Sequence, residues 1–600
     1  MARDRTFELG PPETAVLAAQ GQGPDLAWEP SELAKLVPDP AAGARLFAVA
    51  LQVRLAEAQG HTRLVVEGPG APAWLGSLGP APDPSALLAD SALAGFVAAE
   101  GLAPLLAGTD WLATGRAVQE ERRFAEAVRG LLQDEAPFAV DESWLEEPVS
   151  LNPEQRAAVR LAAVRRLAIL TGGPGTGKTS IVAALVRAWR DAHPGGTFAL
   201  AAPTGKAAQR LGEALAAAGV TAEASGGEPR TLHRLLGWRP RAAAWRHHKG
   251  NPLAADLVVV DEASMVDQGL LARLVDALRP GARLVLLGDA DQLPSVGAGA
   301  VLRDLVAGLP EAVAQLVRSY RMDPSDPAGS AILGYAAKVR EGSAEAADLP
   351  HRGRVEDLSG QGVELLDPVA LPALLRHWRE RIDGLDGYER LVHGEYAADD
   401  LGFGSAAVAG VRALLDHHDR FRLLALLQEG PRGAGALNAA LHAQAWPLNG
   451  RGLRRDLPVY LGEPVMMTRN DYGRGLFNGD QGIVLKVRRG GELRREVVFW
   501  KGGRPEAHPL PALLGDLELA YALTVHKAQG SEFDALAVVL PEADHPLLTR
   551  QNLYTALTRA RRHAVIVGDP ALPPLAARKV ERRATGLPEL LSGPAQGRSR

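Results

Sequence analysis

Residues 167–179 read LAILTGGPGTGKT, and the order of residue types in this stretch decides the fold. An apolar run, Leu167–Leu170, leads into Gly172-Gly173-Pro174-Gly175-Thr176-Gly177-Lys178-Thr179, and a helical run, Ile181–Trp189, follows. Strand, glycine-rich loop and helix in that order form a phosphate-binding loop. Its glycines let backbone N–H groups and a helix N-terminus close on phosphates, Lys178 is placed to reach the β and γ oxygens, and Thr179 can hold Mg²⁺.

Working outward, the short apolar runs Phe198–Ala202, Leu257–Val260 and Leu284–Leu287 alternate with helical segments. Runs of that length bounded by Gly, Pro or Asp are what buried parallel strands look like, so an α/β class with a doubly wound sheet is expected. Two of these strands carry chemistry at their ends. Asp261 and Glu262 follow Val258–Val260, where Asp261 can hold Mg²⁺ and Glu262 can polarise a water; a lone Asp-Glu there would as readily cap a helix. Gln292, in LGDADQLPS (287–295), offers an amide able to sense a γ-phosphate, against the plainer reading of a polar loop.

A second set of buried-strand runs recurs at Leu536–Leu540 and Ala564–Val567. Between the two sets, Val459–Arg504 alternates like β structure with glycine turns, and residues 451–504 carry 12 basic against 6 acidic side chains. A small inserted β-barrel is expected there. Residues 1–148 differ: they hold 22 acidic against 10 basic side chains, with helical periodicity at Ala44–Ala58 and Gln119–Leu132 and an acidic linker at 134–150. The expected organisation is a mainly helical, partner-docking domain at 1–148 and a first α/β domain at 149–323 with a short insertion at 238–252. A second α/β domain follows at 324–458 and 517–580, interrupted by the β insert at 459–516, and 581–600 closes the chain as a flexible tail. Residues 324–425 carry no assignable chemistry.

Composition narrows the function classes. The 600 residues are 46% hydrophobic and 23% charged, enough for several cores. Absence of cysteine excludes disulfides, thiolate metal sites and a cysteine nucleophile, and points to the reducing cytoplasm. No apolar stretch is long enough to span a membrane, so no membrane association is expected. The net charge of −5 weighs against a nucleic-acid partner only until it is divided, because the acidic first quarter masks a net basic remainder. Lysines number only nine, and Lys178, Lys206 and Lys527 fall in the phosphate loop, APTGKAAQRL (202–211) and LTVHKAQGSEFD (523–534); none of the nine has an acidic residue two positions before it, so the acid-x-Lys nuclease element is absent.

Nine segments in order carry a resemblance: LNPEQ (151–155), the phosphate loop, APTGKAAQRL (202–211), TLHRLLG (231–237), VVVDEAS (258–264), LGDADQLPS, LVRSYRM (316–322), LTVHKAQGSEFD (523–534) and NLYTALTRARRH (552–563). Together they resemble the motif set of superfamily 1 helicases. With GEPVMMTRNDYGRGLFNGDQGIV (462–484), the chain is similar to the RecD family, the α subunits of exodeoxyribonuclease V or RecBCD complexes. The resemblance implies two RecA-like domains, an SH3-like insert, and an ATP-dependent 5′→3′ DNA helicase that processes double-strand ends for recombinational repair. Implied partners are single-stranded and duplex-end DNA and, in a heterotrimer, RecB-like and RecC-like subunits, with nuclease activity in a partner chain. A stand-alone helicase and a scaffold ATPase are the competing readings.

By the same resemblance, Gln155 reads the adenine edge, Tyr320 stacks on the base, Glu532 contacts the ribose, and Arg321 and Arg559 contact the γ-phosphate. Thr204, Lys206, Thr231, His233, Thr524, His526 and Lys527 fall in strand-tracking segments. The insertion WRPRAAAWRHHKGNP (238–252) matches the position of a duplex-splitting pin, with Trp238 or Trp245 as an aromatic tip; a solvated basic loop is the plain alternative.

Overall fold

A computed structural model describes residues 7, 9–78, 81–133, 135–146, 150–220, 228–320, 326–384, 386–399, 402–445 and 458–592. Asp39 starts the longest N-terminal helix, Pro40–Ala58, by accepting from Ala42 N at 3.0 Å, with Pro40 supplying the fixed φ of a first turn. Helices Pro11–Ala19 and Trp28–Lys35 pack nearby, and a four-stranded sheet of very short strands between residues 64 and 114 completes this N-terminal unit.

The next helix, Gly115–Gln133, departs from the expected boundary. Its buried Phe124, Ala125, Val128 and Leu131 lie in the core of the first large sheet, so the first α/β body begins well before residue 149. That sheet has six strands, all parallel, in the order Val313–Leu316, Leu167–Gly172, Arg283–Gly288, Leu257–Val260, Phe198–Ala202, Arg230–Thr231. Both faces are covered, which explains why its central strands are apolar throughout.

The second body is also a six-stranded parallel sheet. Its order is His351–Arg352, Gly362–Leu366, Ala560–Val567, Phe533–Val539, Phe421–Ala425, Ala522–Thr524. From it projects a β layer built of Pro464–Met467, Gln481–Arg489, Glu492–Lys501, Arg504–Pro509 and Leu517–Leu519. Paired glycines at 490–491 and 502–503, all at positive φ, make its two tight hairpins. The layer reaches beyond 459–516: Glu395–Asp399 pairs in parallel with Gln481–Arg489, and Gly402–Phe403 extends it.

The end of the chain corrects the expectation of a tail. Residues 581–592 are packed, and the helix Leu587–Ser592 buries Leu587 and Leu591 in the core of the first sheet, four residues apart on one face. Gly308 makes room, since a Cβ there would stand 2.8 Å from that of Leu591. Residues 593–600 lie outside the described residues. Among the described residues no helix is long and apolar enough to cross a membrane.

Candidate nucleotide site and nucleic-acid interface

The phosphate loop takes its shape from Gly175 and Gly177, both in the left-handed region at φ 75° and 77°. Helix Lys178–Ala192 starts at Gly177 with no side-chain cap, which leaves its first N–H groups facing the loop. Lys178 Nζ donates to Gly172 O at 2.7 Å and Gly173 O at 3.1 Å, so the ammonium is held over the loop it serves.

Asp261 ends a fully buried strand, and burial, followed by the neighbouring Glu262, pushes its pKa up to about 6 while Lys178 pulls the other way. Glu262 sits at φ 52°, ψ 40°, a left-handed conformation that costs a non-glycine residue about 1–3 kcal/mol. Strain of this kind at a strand end, beside a phosphate loop, aims a carboxylate. Hard oxygen donors, the Thr179 hydroxyl and the Asp261 carboxylate, fit Mg²⁺, and two adjacent half-buried acids gain from a divalent cation.

On the base side, Asn152 and Gln155 form a capping box for helix Pro153–Val164. Gln155 Nε2 donates to Thr176 O at 2.9 Å, and its Oε1 accepts from the Tyr320 hydroxyl at 3.1 Å. Tyr320 N donates to Gly175 O at 2.9 Å, and the residue is 47% exposed, with the Arg318 guanidinium 5.7 Å from the centre of its ring. Gln155, Tyr320 and the phosphate loop are therefore one assembly. Arg321 lies outside the described residues.

The second body supplies the other wall. Arg559, 3% exposed, donates from Nη2 to Gln292 Oε1 at 3.0 Å and from Nε to Thr555 O at 3.2 Å. Gln292 Nε2 donates to Asp289 Oδ2 at 3.0 Å, and the Tyr554 hydroxyl donates to the same oxygen at 3.0 Å. A Cβ added to Gly173 would stand 3.1 Å from the Tyr554 oxygen, which places that hydroxyl against the phosphate loop itself. Leu293 N donates to Thr555 Oγ1 at 3.0 Å. Asp289 and Tyr554 were not singled out from sequence, although both lie inside the quoted motifs; only their convergence marks them. Glu532 is paired with Arg561 at 3.2 Å and lines a cleft of about 1190 Å³ between the bodies, together with Thr179, Asp261, Lys206 and Arg559.

The expected strand-tracking residues each have partners within the chain. Thr204 and Thr231 cap helices, accepting from Ala207 N at 3.2 Å and Arg234 N at 3.3 Å, and Thr524 accepts from Lys527 N at 3.4 Å. Lys206 faces Asp419 of the second body at 3.8 Å, and burial brings its pKa down to about 8. Lys527 pairs with Glu518 at 2.7 Å. His526 lies instead beside Glu581 and Arg583 of the C-terminal segment, its pKa lowered chiefly by burial.

The insertion forms a hairpin of Trp238–Arg239 and Ala244–Trp245, but its tip is Pro240–Ala243. Trp238 and Trp245 face each other across the strands at 4.6 Å, with His233 5.5 Å from Trp245, and Trp245 packs on the first core. The expectation of an aromatic tip is thus corrected: cross-strand pairing puts both indoles at the base.

Known proteins can now be set beside this geometry. Residues 150–359 match the family model described as AAA domain, and residues 519–567 match the UvrD-like helicase C-terminal domain. The RecBCD enzyme subunit RecD of Mycobacterium tuberculosis is 38% identical over 490 residues, 78% of either chain. That of Mycolicibacterium smegmatis is 40% identical over 450 residues, 72% of this chain and 74% of the relative. The ATP-dependent RecD2 DNA helicase of Deinococcus radiodurans is 34% identical over 79% of this chain and 57% of its own length. Among solved structures, the Pif1 helicase of Candida albicans aligns over 72% of this chain and 97% of its own, at 17% identity and a TM-score of 0.38.

Proposed function

The chain belongs to the RecD family, and from that premise we propose that it is the ATP-driven DNA helicase subunit of a RecBCD-type helicase–nuclease, moving 5′→3′ along single-stranded DNA from duplex ends. RecB-like and RecC-like subunits are its partners in the cytoplasm, and nuclease activity resides in a partner chain. The observation that carries this reading is the buried relay from Arg559 through Gln292 to Asp289 and Tyr554, because it joins two parallel-sheet bodies directly over the phosphate loop.

In this reading ATP lies between the bodies, its adenine edge read by Gln155, its base stacked on Tyr320 and its phosphates on residues 172–179. Thr179 and Asp261 would hold Mg²⁺, and the bound ion would supply positive charge to offset that of the phosphates. Glu262 orients the attacking water, while Arg559 and Arg321 neutralise charge on the transferring group and tie closure to occupancy. Glu532 contacts the ribose. Each cycle closes and reopens the cleft, moving Lys206 on one body relative to Thr524, His526 and Lys527 on the other. The β layer is an SH3-like insert that clamps the strand, and the helical N-terminal unit docks a partner.

Strand displacement on duplexes with 5′ or 3′ tails tests this reading, using the chain alone and with candidate partners. Unwinding of the 5′-tailed substrate, lost in Lys178→Ala, is expected. No unwinding of it under either condition overturns the helicase reading, and DNA degradation by isolated Lys178→Ala chain overturns the assignment of nuclease activity to a partner.

A further inference from the structure

Beyond the helix Leu572–Arg578 of the second body, the chain crosses back over the first and meets the N-terminal unit on the way. Glu581 N donates to Gln551 Oε1 at 2.8 Å, and Arg303 Nη1 donates to Glu581 O at 3.1 Å. Ala584 N donates to His61 Nδ1 at 3.0 Å, and Thr62 N donates to Ala584 O at 2.9 Å. Thr585 Oγ1 donates to Asp304 Oδ2 at 2.8 Å, and Gly586 N donates to Glu121 Oε1 at 3.0 Å.

At the centre of this crossing lies Arg583, whose side chain is 7% exposed. Its Nη1 donates to Gly297 O and, at 3.1 Å, to Gly299 O. Gly299 N in turn donates to Gly60 O at 2.9 Å. Gly60 has φ 86°, and a Cβ there would stand 2.8 Å from Arg583 Cζ, so the guanidinium rests against the bare Cα of the N-terminal unit. Only glycine combines that backbone conformation with that approach.

The loop so held is the continuation of the nucleotide relay. It leaves Gln292, which meets Arg559, and Leu293, whose carbonyl accepts from Gln529 Nε2 at 3.2 Å. It then exposes Val296, 81% accessible, before the two carbonyls that Arg583 takes. His526, from the segment read as strand-tracking, is close enough to Arg583 and Glu581 to feel both charges. One end of the loop is thus tied to the second body and the other to the N-terminal unit, with Arg583 as the tie.

We propose that Arg583 is a positioning residue for DNA-stimulated ATP hydrolysis. By fixing Gly297 and Gly299 against Gly60, it sets the loop 293–299, and through it the Gln292 amide that Arg559 grips. The setting therefore depends on the N-terminal unit, which gives a partner docked there a route to the motor. Both carbonyls are taken by Nη1 alone, so an ammonium, a point donor, would keep part of the contact but lose the rest of the guanidinium packed on Gly60. This inference rests on the reading of the chain as a DNA-dependent motor.

ATP hydrolysis by the full chain, measured with and without oligothymidylate, tests it. In Arg583→Ala the DNA-stimulated kcat should fall by about fivefold or more, while DNA-free turnover and the KM for ATP stay within about twofold. Arg583→Lys should lie between. Gly60→Ala, which disturbs the same contact from the other side, should reproduce the loss, and the double variant should be no worse than the worse single one. Equal falls in DNA-free and DNA-stimulated rates, no fall in either, or additive effects of the two substitutions would overturn the proposal. A wild-type chain that DNA does not stimulate would overturn the motor reading itself, before any variant is compared, and the proposal with it.

Discussion

Removing one oxygen atom tests how the two bodies are joined. Tyr554→Phe keeps the ring that packs in the second core but deletes the hydroxyl that donates to Asp289 Oδ2 at 3.0 Å. Asp289 is 3% exposed, so water does not replace the lost donor; Gln292 Nε2, also at 3.0 Å, and Asp291 N, at 3.1 Å on the other oxygen, are what remain. A hydrogen bond to a buried charged group contributes about 1.5–3 kcal/mol, or about tenfold to 150-fold in an equilibrium. Because the donor sits on one body and the acceptor on the other, that loss falls on the closed arrangement alone. The kcat/KM for ATP, measured in steady state with saturating single-stranded DNA, should drop by that factor while the melting of each body is unchanged. A kcat/KM within about twofold of wild type would refute the reasoning. So would a cycle with Asp289→Asn that gives no coupling between the two sites.

Other perturbations separate the remaining assignments. Lys178→Ala should lower ATP turnover by about a hundredfold or more with the circular dichroism spectrum unchanged, since the side chain touches only loop carbonyls. Trp245→Ala should lower the urea midpoint by the equivalent of about 1–3 kcal/mol, because Trp245 packs on Trp238 and under Arg273; replacing Pro240–Ala243 by a glycine turn should leave that midpoint alone. Ending the chain at residue 586 removes Leu587 and Leu591 from the first core, a loss of about 3–6 kcal/mol readable by the same titration. His418 lies against Arg422, His417, Arg379 and Asp419, and burial holds its pKa down to about 3, so the unfolded chain binds its proton first. That stability is complete above about pH 6.5 and is lost as pH falls towards 3, and His418→Gln should flatten the fall in melting temperature over this range.

Both parallel sheets were legible because strands buried on two faces must be apolar throughout, and Leu167–Leu170 or Leu536–Leu540 show that without any neighbour. The phosphate loop and the Asp261–Glu262 pair were legible for a related reason: their chemistry is local. Contacts made across the chain were not. Periodicity marks the apolar stripe of Gly115–Gln133 but says nothing about which core receives it. Glu395–Asp399 alternates over too few residues to announce a strand, and its partner is almost a hundred positions away. The helix Leu587–Ser592 is six residues long and follows a basic run, which reads as a tail until Leu591 meets Gly308 and both leucines enter the first core. Trp238 and Trp245 were visible as residue types, but the hairpin register decides that they face each other.

The buried leucines at 587 and 591 also set an order of events during synthesis. The first sheet is complete as sequence by residue 316, yet its core includes Leu587 and Leu591, which are made only after the whole second body. A nascent chain therefore carries a motor body with an open apolar seam while the whole second body is being made. That seam stays open for as long as the second body is unmade, and the region synthesised early becomes the region that locks last.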